Sequence, residues 1–146
     1  MASELKVDKF TGVTTAGSIS VTGEGNSTTT NLQQGLAKAW VNFNGTGTIA
    51  IRDSLNISGL TDNGNGDYSV AINNDMANAD YAVTMAVASY DGSGDTRFPV
   101  MLKATSSNDW GTYVAGSFRL ICKQVANGGD GSDASLVIDT VHGDLA

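Results

Sequence analysis

The chain has 146 residues and a net charge of -7 from 15 acidic and 8 basic side chains, with 18 glycines against one proline. That length allows one compact core and a short appendage, which argues against a two-domain enzyme. Two glutamates and five lysines are too few to dress the outer faces of a helical bundle, and bases scattered from Lys6 to Lys123 without a run form no phosphate-binding surface, so helical folds and nucleic-acid partners are set aside.

Residues 1–31 alternate weakly, with Leu5 and Val7, then Ile19 and Val21, and Phe10 between them; they end in the polar run Gly25-Asn26-Ser27-Thr28-Thr29-Thr30. So few apolar side chains do not offset a backbone entropy cost of about 1–2 kcal/mol per residue, so this segment is expected to be an extended arm that docks on another surface. The start MASELKVDKF lacks a basic end followed by an apolar run, and no stretch approaches the roughly 20 apolar residues of a membrane span. The expectation is a soluble protein without a leader and without membrane insertion.

Asn31-Leu32-Gln33-Gln34-Gly35-Leu36-Ala37-Lys38-Ala39-Trp40 offers the one helical pattern, with Asn31 as cap and Leu32, Leu36 and Trp40 at i, i+4 and i+8. A stripe on so short a segment, weakened by Gly35, needs an apolar partner, and copies of the same chain would supply it. Residues 32–39 are thus read as a short helical turn and linker, and Leu32, Leu36 and Trp40 as an oligomer interface.

From Trp40 onward the period is two. Val41/Phe43, Ile49/Ile51, Leu55/Ile57, Tyr68/Val70/Ile72, Tyr81/Val83/Met85/Val87, Phe98/Val100/Leu102, Phe118/Leu120/Cys122 and Leu136/Ile138 each place apolar side chains on one face of a strand. Turn chemistry separates them at residues 44–47, 62–67, 91–95 and 128–133. The pattern predicts an all-β fold, an antiparallel β-sandwich, jelly-roll-like, over residues 40–146.

Candidate chemistry is sparse. Cys122 is the one cysteine and reads as a small buried apolar residue. His142 has Asp139 and Asp144 nearby, but no serine context suggests a nucleophile. Asp62-Asn63-Gly64-Asn65-Gly66-Asp67 fails the twelve-residue calcium pattern, with Gly66 at its fifth position and Asn73 at its twelfth, and reads as a hairpin turn. Asp91, Asp95, Asp130 and Asp133 read likewise as turn residues. No catalytic residue, cofactor or metal is expected. Asp109, Trp110 and Tyr113 lie in a polar stretch where an aromatic ring can stack on a sugar while its neighbours bind hydroxyls, which makes them the candidate glycan contact.

The run Ala39-Trp40-Val41-Asn42-Phe43-Asn44-Gly45-Thr46-Gly47-Thr48-Ile49-Ala50-Ile51-Arg52-Asp53-Ser54-Leu55-Asn56-Ile57-Ser58, with Thr61 to Tyr68 after it, resembles the distal domain of bacteriophage tail-fibre and related virion fibre proteins, especially of short-tailed phages of marine bacteria. The similarity extends through Met76 to Val83 and the strands at Phe118-Arg119-Leu120 and Leu136-Val137-Ile138, about residues 31–142 in all. It implies a homotrimeric β-rich virion protein without a catalytic motif, made in the host cytoplasm. A short arm before a compact knob suits a small fibre or decoration protein, with Leu5, Val7, Phe10, Ile19 and Val21 anchoring it to capsid or tail proteins. The alternative is a receptor-binding module that recognises a host surface glycan.

Overall fold

The computed structural model describes residues 4–13, 19–23, 28–88, 100–103, 113–123 and 131–146. Among these, helix is confined to a single turn and the rest of the regular structure is antiparallel β. The chain divides into two units, Met1–Leu36 and Ala37–Ala146.

In the first unit, β1 (Ser20–Thr22) pairs with β2 (Thr29–Asn31), Ser20 opposite Asn31. Helix α1 (Leu32–Gly35) follows, and the Asn31 carboxamide oxygen caps it by accepting from the Gln33 and Gln34 amides at 2.8 and 3.2 Å. The helix stops there. Leu36 is extended (φ -94°, ψ 140°), so Leu32, Leu36 and Trp40 form no helical stripe, contrary to the spacing argument. Gly35 carries the largest entropic cost of helix formation, and one turn is too short a nucleus to propagate.

The second unit opens with β3 (Ala39–Asn44), which takes Trp40 into a strand. It continues through β4 (Ala50–Leu55), β5 (Ile57–Gly64), β6 (Asp67–Ile72), β7 (Ala82–Ala88), β8 (Val100–Leu102), β9 (Ser117–Cys122) and β10 (Leu136–His142). They form two four-stranded sheets, in the orders β4-β3-β10-β7 and β5-β6-β9-β8. The jelly-roll-like expectation does not match this order. A jelly roll mostly sends consecutive strands to opposite sheets, whereas β3–β4, β5–β6 and β8–β9 are neighbours within one sheet.

One buried cluster joins the inward faces: Ala39, Val41 and Phe43 of β3, Tyr68, Val70 and Ile72 of β6, Phe118, Leu120 and Cys122 of β9, Val137 and Val141 of β10. Cys122 is a free, buried thiol, as its strand position implied. Two strands depart from their expected phase. Leu55/Ile57 is a corner between the sheets rather than a strand: Asn56 adopts φ 56°, a conformation asparagine tolerates. Asn56 Nδ2 donates to the Lys38 and Asn74 carbonyls, and Asn56 Oδ1 accepts from the Asn74 backbone amide at 2.8 Å. In β10, Val137, Asp139 and Val141 point inward, while Leu136 and Ile138 are half-buried on the other face. Both faces of this strand carry branched apolar residues, so alternation alone selects neither.

The turns at one end of the sheets are tied together through Tyr68. Its hydroxyl lies 2.8 Å from both the Gly45 carbonyl and Asp133 Oδ1, and Asp133 Oδ1 also accepts from the Gly66 amide at 2.7 Å. Gly66 (φ 69°) closes the β5–β6 hairpin predicted at residues 62–67, and a Cβ there would stand 2.4 Å from the Cys122 carbonyl oxygen. We therefore expect Gly66→Ala to destabilise the fold by about 3 kcal/mol or more, since both backbone conformation and space forbid it. Tyr68→Phe is expected to cost about 1–3 kcal/mol by leaving Asp133 and Gly45 short of a donor. Urea unfolding checks both values.

Candidate functional site

Among the described residues of the second unit, beyond the turn contacts already given, three groups of polar side chains bear on function; strand alternation positions the first two. The first lies on the outward face of the β5-β6-β9-β8 sheet. Alternation turns Asp67 away from the core, yet its carboxylate is buried by an ion-pair cluster. Oδ1 accepts from Arg119 Nε at 2.6 Å, Oδ2 from Arg119 Nη2 at 2.9 Å, and Lys103 Nζ donates to the same Oδ2. Burial opposes ionisation of Asp67, but the hydrogen bonds and charges of Arg119 and Lys103 outweigh it and hold its carboxyl below the usual range. The same bond raises the Arg119 guanidinium. This arrangement rivets β6 to β9 and leaves no carboxylate oxygen free for chemistry.

The second group is inside. Asp139 is fully buried between Val41 of β3 and Met85 of β7, and neither carboxylate oxygen has a hydrogen-bond partner. Burial pushes its carboxyl up from 3.8 to about 7. The Cys122 thiol is pushed up to about 12, by burial first and then by the charges of Asp139 and Asp133. A buried thiol held protonated at neutral pH is a poor nucleophile. Strand phase hid Asp139: with Leu136 and Ile138 taken as the inward face, it falls on the solvent side.

The third group is aromatic. The Tyr113 ring packs on the Tyr81 ring with centroids 4.4 Å apart, and its hydroxyl donates to the Tyr81 carbonyl. The Tyr81 hydroxyl reaches the Val114 and Ser117 carbonyls at 2.9 and 3.0 Å. Burial raises both phenols, with the Asp80 charge adding to the shift at Tyr113. Of the candidate glycan contacts, Tyr113 is therefore half-buried and engaged within the fold, while Asp109 and Trp110 lie outside the described residues. Asp91, Asp95 and Asp130 lie outside them too. Asp62 accepts from the Gly64 amide at 2.9 Å, as a hairpin requires, and His142 is the last residue of β10. Among the described residues, no three His, Cys, Asp or Glu side chains gather where a metal ion could be held.

What remains is apolar surface. In the first unit Leu5 (74%), Phe10 (61%), Val7, Val21 and Leu36 are exposed, and Ile19 and Leu32 are half-buried. Val13, which the alternation did not single out, is 92% exposed. In the second unit Trp40 is half-buried on the outward face of its sheet, opposite the exposed Leu55 of β4. Comparison with known protein families, with curated proteins and with solved structures returns no match to this chain.

The two buried acids give opposite pH dependences. Asp139 holds its proton in the folded state up to about pH 7 but only to about 3.8 when unfolded. The stability tied to that proton is present in acid and falls by up to about 4 kcal/mol as pH rises from about 4 to about 7. Asp139→Val should stabilise the protein by a margin that grows by that amount between pH 4 and pH 8, measured by urea unfolding at each pH. Asp67, held low, contributes stability above the ordinary carboxylate pKa that is lost as pH falls. Asp67→Asn should cost about 1–2 kcal/mol at pH 7, since Arg119 and Lys103 keep partial access to water, and that cost should begin to shrink as pH falls below the ordinary carboxylate range.

Proposed function

We propose that this chain is a non-enzymatic structural protein of a bacteriophage particle, a small trimeric fibre or decoration protein. Residues 1–31 are its anchor on capsid or tail proteins, and residues 40–146 are a β-sandwich knob. The observation that carries this reading is the contrast between the two units. The second buries an apolar core drawn from both sheets, while the first displays Leu5, Val7, Phe10, Val13, Val21 and Leu36 to solvent around two paired three-residue strands and one helical turn. Such a segment gains order when another protein covers it.

The phage part of this reading rests on the resemblance drawn from Ala39–Ser58 and Thr61–Tyr68. The polar groups among the described residues join strands and turns rather than converge on a cleft, which suits a structural role. The self-association surface in this reading includes Leu32, Leu36 and Trp40, with Leu55 beside Trp40. A receptor-binding role would rest on Asp109, Trp110 and Tyr113; since Tyr113 is committed to Tyr81, the structural role is the one we adopt.

Particles assembled with Leu5→Asp/Val7→Asp/Phe10→Asp should lose at least tenfold of the protein in antibody labelling, while thermal unfolding of the second unit stays unchanged. Equal occupancy would reject the anchor. Sedimentation of the wild-type protein as a monomer at micromolar concentration would reject the trimer.

A further inference from the structure

Among the described residues, four strands of the second unit stand at sheet edges, and two of them carry features that discourage pairing with another chain. Edge strand β4 has Arg52 and Asp53 and sits across a register shift at Asn42/Phe43. In β5 there are Asp62, an internal glycine at Gly59 and two register shifts. The third edge, β8, is described from Val100 to Leu102. Charges and irregular register are among the means by which edges are kept from pairing.

Strand β7 has none of these. Ala82-Val83-Thr84-Met85-Ala86-Val87-Ala88 is seven residues long, uncharged and free of glycine and proline. It pairs with β10 in unbroken register from Leu136↔Ala88 to His142↔Ala82. Among the described residues no strand pairs with its other side. Ala82, Thr84, Ala86 and Ala88 face outward and are exposed; Val83, Met85 and Val87 face the core and are only half-buried.

The sequence of β7 is also nearly palindromic about Met85. We propose that β7 is a self-pairing edge, joining two copies of this chain antiparallel about a two-fold axis at Met85. In that register Val83 lies opposite the partner's Val87, Ala82 opposite the partner's Ala88, Thr84 opposite the partner's Ala86, and Met85 opposite the partner's Met85. Like sizes meet, no charge is brought against another, and the half-buried valines and methionines of the two copies extend both cores across the junction. An edge joined to its own symmetry mate is used up, so the contact closes at two copies rather than growing into a filament. The pairing needs nothing from the N-terminal unit and is independent of three-fold assembly; where both operate, two trimers join.

The test uses the full chain. The wild-type protein should sediment as an even-numbered assembly, and Thr84→Lys/Ala86→Lys, which sets charges against each other on the exposed face of β7, should halve its mass while leaving a folded protein with a cooperative thermal transition, at a midpoint lowered only by the loss of association. Thr84→Cys/Ala86→Cys should give a disulfide-linked dimer on mild oxidation that Thr84→Cys alone does not give, with the buried Cys122 taking no part. A wild-type mass that is odd-numbered, or one that the lysine pair leaves unchanged, would overturn the proposal. The mass remaining in the lysine variant reports separately on the earlier reading: a trimer upholds it, and a monomer removes the trimer while leaving the β7 pairing in place.

Discussion

The β unit depends on joining segments that are far apart in the chain. The central pair of one sheet is β3 with β10, and that of the other is β6 with β9, so neither sheet can be completed by local hairpins. The Tyr68 hydroxyl sits where this long-range closure is secured. With Gly45 from the β3–β4 turn and Asp133 from the segment before β10, it links the ends of both sheets through hydrogen bonds of 2.8 Å. The phenol ring meets Phe43 edge-on at 5.3 Å, so one side chain serves the core and the turns at once. Glycines are needed here because backbones pass closely: a Cβ at Gly45 would stand 2.5 Å from the Tyr68 hydroxyl, and one at Gly131 would stand 2.0 Å from the Asn65 carbonyl oxygen.

Beyond this closure, the fold spends its charged groups on structure. Arg119 and Lys103 are committed to Asp67, and Arg52 reaches the carbonyls of Phe43 and Ser135 at 3.0 and 2.6 Å. Asp139, by contrast, is a carboxyl held among apolar side chains at a cost to stability that grows with pH. Among the described residues, the apolar side chains of the N-terminal unit, the Trp40–Leu55 pair and the outer side of β7 are the surfaces our proposals assign to contact with other proteins. A small unit that has its own core but whose surface retains these features is suited to work by assembly.

Period-two alternation from residue 41 onward established the all-β class, the strands β3, β6, β7 and β9 with their inward faces and the burial of Cys122, while capping and turn chemistry gave the role of Asn31 and the hairpin at Gly66. Those features are local: each follows from backbone geometry over a few residues, where side-chain pattern and turn chemistry act alone. Other features needed tertiary contacts. The inward face of β10, and with it the burial of Asp139, was decided by β3 and β7 on either side, because Leu136/Ile138 and Val137/Val141 are equivalent as patterns. Trp40 went to a strand rather than a helix because Ala39, Val41 and Phe43 gain burial only in the sheet. The departure from jelly-roll order, the Tyr68 node and the unguarded edge at β7 depend on which strands become neighbours, and that choice is made by packing across the whole chain, on which spacing within a segment carries no information.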